Sequence, residues 1–95
     1  MNIKDLHPEE KLVSATALFK GGEGVLNAIQ LLKEAQLKEH ITKVPAMLLC
    51  VSGNVLFENE KGAEENMKPG DYYRIEPMVK HWVIGIEDSQ LVLIR

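Results

Sequence analysis

At 95 residues the chain has room for one domain with a single modest core, and not for two. Apolar residues make up 45% and charged residues 26%, which excludes a disordered composition. A formal net charge of -3, with Lys and Arg scattered along the chain, argues against a nucleic-acid surface.

No stretch approaches the roughly 18–20 consecutive apolar residues of a membrane span. The chain opens Met1-Asn2-Ile3-Lys4-Asp5, without the apolar run of a signal peptide. Its single cysteine, Cys50, rules out an intramolecular disulfide and suits a reducing compartment. A cytoplasmic protein that binds neither membrane nor nucleic acid is therefore expected.

Residues 1–12 are polar around Pro8-Glu9-Glu10 and read as an arm or first edge element, with His7 solvated. Val13 to Phe19 alternates and carries β-branched residues, which predicts a strand. Gly21-Gly22-Glu23-Gly24 is a turn and lacks the Lys-Ser/Thr that a nucleotide loop requires. The next segment is ambiguous. Val25, Ile29, Leu32 and Gln36 fall at helical spacing, and good helix formers dominate from Leu31 to Glu39, so local propensity leaves a helix over 25–38 as open as a strand.

The second half reads as β throughout. Pro45 to Val51, a turn at Ser52-Gly53-Asn54 and Val55 to Glu58 form a hairpin. Lys61-Gly62-Ala63 is a turn, and Glu58-Asn59-Glu60 and Glu64-Glu65 read as solvated loop faces. Strands follow over 71–76, 81–86 and 90–95, separated by Pro77 and by Glu87-Asp88-Ser89. Asp71 is expected to accept backbone N–H bonds in the turn after Gly70. Short, evenly spaced strands with Gly and Pro punctuation predict an all-β sandwich or barrel.

Ala46 to Val51 and Leu91 to Ile94 are apolar at every position, whereas a half-exposed strand alternates. So short a chain cannot cover both faces of both strands itself. A second copy is the expected cover, which makes a homodimer the expected assembly.

The order of these elements resembles the small single-domain cupins, which carry an RmlC-like jelly-roll barrel, over about residues 25–94. That resemblance implies one domain over 1–95, built as a small double-stranded β-helix with residues 1–12 as its arm. The family's first motif sets a His-x-His pair, then a Glu, then a Gly seven residues after that Glu. His40 leads in and Gly53 supplies the turn. Counting back from Gly53 places Ala46 at the Glu and Thr42 at the second His. The second motif runs from a Gly through a Pro-x-Gly corner to a His eleven residues on. Gly70-Asp71 and His81 keep that spacing. Pro77 stands one place late, Met78 occupies the corner glycine's position, and Gly85 stands where an Asn is common. The family also has a strand where residues 25–33 lie, which decides the ambiguous segment and leaves residues 37–39 in a connection to His40.

A cupin metal site uses three His and one Glu, so the resemblance implies a divalent transition metal (Zn, Fe, Mn, Ni or Cu) with His40 and His81 as its remaining ligands. On strand alternation Ala46, Leu48 and Cys50 share the inward face, and the Cys50 thiolate is a third candidate ligand. Tyr73, Ile75, His81 and Val83 face in as well, while Tyr72 and Trp82 face out. The expected ligand pocket thus comprises His40, Thr42, Leu48, Cys50, Tyr73, His81 and Val83. Each also has a plainer reading: His40 as a polar lip residue, His81 as a donor to a backbone carbonyl, Cys50 as a buried hydrophobe.

Three functions stay open at this point. The first is a stand-alone cupin binding a small molecule in its barrel without established catalysis. The second is a metal-dependent enzyme of the dioxygenase or isomerase type using His40 and His81. The third is an interaction dimer whose barrel is filled by its own side chains.

Overall fold

The computed structural model describes residues 1–95. A 3₁₀ turn over Ile3–Leu6 precedes nine strands: β1 (Val13–Gly21), β2 (Gly24–Leu31), β3 (Gln36–His40), β4 (Ala46–Ser52), β5 (Val55–Asn59), β6 (Glu64–Met67), β7 (Tyr72–Ile75), β8 (His81–Gly85) and β9 (Ser89–Ile94). They form a five-stranded sheet in the order β1-β2-β9-β4-β7 and a four-stranded sheet in the order β3-β8-β5-β6. Neighbours pair antiparallel throughout, and the two inner faces enclose the core as a double-stranded β-helix. No helix is long and apolar enough to cross a membrane.

The helical propensity of residues 25–38 is overridden. β2 pairs with β1 on one side and β9 on the other and buries Ala28, Ile29 and Leu31. Helix preference among ordinary residues amounts to a few tenths of a kcal/mol each, whereas full burial of one aliphatic side chain contributes about 1.5–3 kcal/mol. Residues 37–39, expected as a connection, belong to β3 instead. Leu37 lies opposite Val83 and packs against the core, and that pairing recruits the polar Lys38 and Glu39 into the strand.

Glu64 and Glu65, expected in a solvated loop, lie in β6. That strand pairs only with β5, buries Met67 and exposes Glu64, Glu65 and Asn66. A short edge strand bearing charge discourages pairing with another chain. The loop reading failed because only one of its four residues is apolar.

The inner face of the large sheet runs in cross-strand rows. One is Ala15, Ile29, Leu91 and Cys50; the next is Ala17, Asn27, Leu93, Leu48 and Tyr73. From the small sheet come Val55, Phe57 and Val83, all buried. Tyr73 stacks on Phe57 at 4.3 Å between ring centroids, so its ring fills the core.

One end of the barrel is shut by backbone contact. A Cβ on Gly53, at φ 88°, would strike the Asp88 carbonyl and the Ser89 hydroxyl, and a Cβ on Gly85 would strike the Leu32 carbonyl. The Ser89 hydroxyl accepts from the Asn54 N–H at 2.9 Å there. With one end sealed so tightly, access to the interior lies at the other.

The arm is docked on the outer face. Gln30 Nε2 donates to the carbonyls of Pro8 and Lys11, both at 2.9 Å, and Gln90 Nε2 donates to Gln30 Oε1 at 3.0 Å. His7, expected in solvent, is buried with its Nδ1 2.7 Å from the Ser14 hydroxyl. The neighbouring sequence is polar, so nothing local announces that burial.

Candidate functional site

The open end of the barrel holds a cleft of about 250 Å³. Its walls are Ala15, Ile29, Leu37, Leu48, Ile75, Val83 and Leu93, and its polar groups come from Asn27, His40, His81 and Arg95. The large sheet supplies one wall and the pair β3–β8 the other. His40 and His81 stand directly opposite each other on those two strands, with ring centroids 4.2 Å apart in a T-shaped arrangement.

Each imidazole is oriented by its own backbone. His40 Nδ1 lies 3.0 Å from the Lys38 carbonyl, and His81 Nδ1 lies 3.3 Å from the Val79 carbonyl. A carbonyl oxygen only accepts, so Nδ1 carries the proton in both rings and the neutral ring keeps its lone pair on Nε2. Burial holds the His81 pKa below its ordinary 6.5; the Val79 carbonyl opposes that shift, and the nearby His40 adds to it. His81 is therefore neutral at pH 7, an acceptor at Nε2.

Asn27 and Arg95 reach the cleft through the β2–β9 ladder. Asn27 pairs with Leu93, and Val25 and Arg95 exchange backbone hydrogen bonds of 2.7 and 3.0 Å just beyond it. A polar Asn27 at an inward position inside Val25-Leu26-Asn27-Ala28-Ile29 was a legible signal that sequence reasoning passed over. Arg95 had none, because its inward placement follows from the register of β9 against β2.

Of the residues expected to form the pocket, His40, Leu48, His81 and Val83 line the cleft, while Thr42, Cys50 and Tyr73 do not. Thr42 lies in the β3–β4 connection, where its carbonyl accepts from the Met78 N–H at 2.8 Å and its buried hydroxyl has no partner. Cys50 sits two residues further along β4 than Leu48, wholly buried, with Sγ 3.5 Å from the Ser52 carbonyl. Burial, and then the Asp71 carboxylate, push its thiol pKa up, away from the thiolate a metal needs. Tyr73 is held by its stack on Phe57.

The four-ligand metal centre that the resemblance implies does not fit these residues. Two imidazoles come together, but Ala46 offers no donor and Cys50 is a neutral thiol in the core. Nowhere are three His, Cys, Asp or Glu side chains grouped to hold an ion.

No protein-family model matches the sequence, and no curated protein matches it. Solved structures do match. A cupin superfamily protein from Desulfitobacterium hafniense superposes with a TM-score of 0.85 at 13% identity, over 97% of this chain and 84% of that one. The fold is that of the cupins. A cupin-2 domain containing protein from Shewanella frigidimarina gives 0.82 at 13% identity, over 100% and 92% of the two chains. An RmlC-like cupin from Methanocaldococcus jannaschii with a double-stranded β-helix fold gives 0.78 at 16% identity, over 94% and 84%. At such identities the likeness covers the path of the cupin backbone, and the chemistry of the mouth has to be read from this chain's own side chains.

Proposed function

We propose that this cupin binds a small molecule in the open end of its barrel and performs no metal chemistry there. The observation that supports this reading is the cleft: seven apolar wall residues surround it and only four polar groups converge on it. Binding sites for small molecules have that composition, an apolar enclosure with few polar groups to set orientation. A barrel filled by its own side chains would leave no such space.

The test is a titration with benzyl alcohol, a small neutral probe, followed by NMR of the methyl groups. Saturable shifts confined to Leu48, Val83, Leu93 and their neighbours in the cleft are expected. Shifts scattered over the surface, or none that saturate, would overturn the reading.

The outer face of the large sheet favours a homodimer as the form in which the protein binds. Phe19, Leu26, Ile94 and Met47 form one apolar row across four strands, with Val92, Leu49 and Tyr72 in the adjoining row. Phe19 and Tyr72 are 58% and 59% exposed. The docked arm covers the Gln30–Gln90 end of that face; Phe19, Tyr72 and Ile94 stay exposed, while Leu26, Met47 and Leu49 are half-buried and Val92 is buried. Sedimentation equilibrium should give twice the chain mass for the wild type and the monomer mass for Ile94→Lys. A monomeric wild type would refute the assembly.

A further inference from the structure

We propose that the ligand of the cleft is a small carboxylic acid with an apolar body and a hydroxyl beside its carboxylate. This rests on the binding reading above and specifies it.

Charge comes first. Arg95 is the one permanently charged residue among those lining the cleft, and no Asp or Glu lines it. A guanidinium offers donors only, in a planar fork that matches the two oxygens of a carboxylate. An anion entering an apolar enclosure gives up water, and a charge-assisted pair of hydrogen bonds is what offsets that loss. A cationic ligand would face Arg95 with no Asp or Glu side chain in the lining to attract it.

The histidines supply the second requirement. Both Nδ1–H groups are committed to the backbone carbonyls of Lys38 and Val79. The only hydrogen bonds either ring makes within the protein are these Nδ1 contacts, which leaves both Nε2 atoms open, and both histidines border the cleft. Two acceptors side by side call for a donor on the ligand, and a hydroxyl is the smallest group that supplies one. Asn27, with both an amide NH₂ and a carbonyl, can serve either group.

Size and wall chemistry set the remainder. A cavity of about 150 Å³ holds benzene, so a cleft of about 250 Å³ takes one ring or a short branched chain together with its polar head. The seven apolar walls exclude a body hydroxylated all round, since its inner hydroxyls would be left unpaired.

Three probes sharing one aromatic body test this by the same methyl NMR titration: mandelate, phenylacetate, which lacks the hydroxyl, and phenylethanediol, which lacks the charge. The expected order in the wild type is mandelate tightest, at least about tenfold tighter than phenylethanediol, which is a difference of about 1.4 kcal/mol. Arg95→Gln should bring mandelate to parity with phenylethanediol. His40→Ala, at an exposed position, should remove the advantage of mandelate over phenylacetate. Phenylethanediol binding as tightly as mandelate would overturn the acid assignment and leave the binding reading standing. A mandelate preference that survives Arg95→Gln would equally overturn it. No saturable shift with any of the three would overturn the binding reading as well.

Discussion

Met78 donates its backbone N–H to the carbonyl of Thr42 at 2.8 Å while holding a left-handed conformation, φ 66°. The bond ties the corner before β8 to the connection before β4, and so sets where His81 begins its strand. Met78 stands where the cupin motif has its corner glycine, and the backbone there keeps the geometry that glycine suits. For a residue with a side chain this conformation costs about 1–2 kcal/mol.

Met78→Gly is therefore expected to stabilise the protein. Relief of the left-handed strain exceeds the extra chain entropy glycine loses on folding, leaving a net gain of about 0.5–1 kcal/mol. Little burial is forfeited, since Met78 is 60% exposed. Met78→Val should go the other way, because β-branching makes the left-handed region harder still to occupy. Urea denaturation of the two variants checks both signs, and a destabilised glycine variant would contradict the account.

Gly85→Ala should be among the most damaging single changes. Gly85 donates to the Ala35 carbonyl at 2.9 Å and accepts from the Glu34 N–H at 2.8 Å, so its backbone is held from both sides. The added methyl would run into the Leu32 carbonyl, which is backbone and cannot rotate aside. A loss of about 3 kcal/mol or more is expected. Gly62→Ala, with a φ of 90° but open space around it, should lose only about 1–2 kcal/mol from strain. Equal losses at the two sites in thermal unfolding would refute the steric argument.

Stability should fall as the solution is acidified through the imidazole range. Burial lowers the folded-state pKa of His81 from 6.5, and burial lowers that of His7 as well. Below pH 6.5 and above the folded values, the unfolded chain binds more protons than the native one. Stability therefore rises with pH across that window and levels off above it. Urea midpoints measured on both sides of 6.5 should show this slope. His7→Gln and His81→Asn should each flatten part of it, and a slope unchanged in both variants would remove the histidines as its source.

Gln30→Leu should release the arm without unfolding the barrel. Its amide is the donor to both Pro8 and Lys11, and its loss also leaves Gln90 Nε2 without an acceptor. An overall destabilisation of about 1–3 kcal/mol is expected from the groups left unpaired. Hydrogen exchange should quicken across residues 1–12 while β4, β8 and β9 keep their protection. Uniform quickening in all strands would show that the arm and the barrel are one cooperative unit.

The fold was legible because its signals are local. The alternation of Val13 to Phe19, the unbroken apolar run of Ala46 to Val51, the turns at Gly53 and Gly70, and the proline corner can all be read from neighbours in sequence. The site was legible only in part. His40 and His81 stood out by residue type and motif spacing; Thr42 was drawn into the pocket by the motif count from Gly53, and Cys50 and Tyr73 by alternation alone. Alternation reports which face a side chain takes and is blind to depth, so it cannot separate the cleft wall from the filled core beneath it.

Outside residues 25–38, where local pattern left helix and strand equally open, the chain's own pattern of apolar residues, glycines and prolines determined that it would form short strands and where they would turn. Those choices depend on residues a few positions apart. Only the tertiary structure decided that β3 and β6 are strands, that His40 faces His81, and that Asn27 and Arg95 complete the mouth. Each of these depends on a register between segments tens of residues apart, such as His40 with His81 or Asn27 with Leu93. Such registers are selected by the packing of both sheets at once, so no local stretch of sequence specifies them.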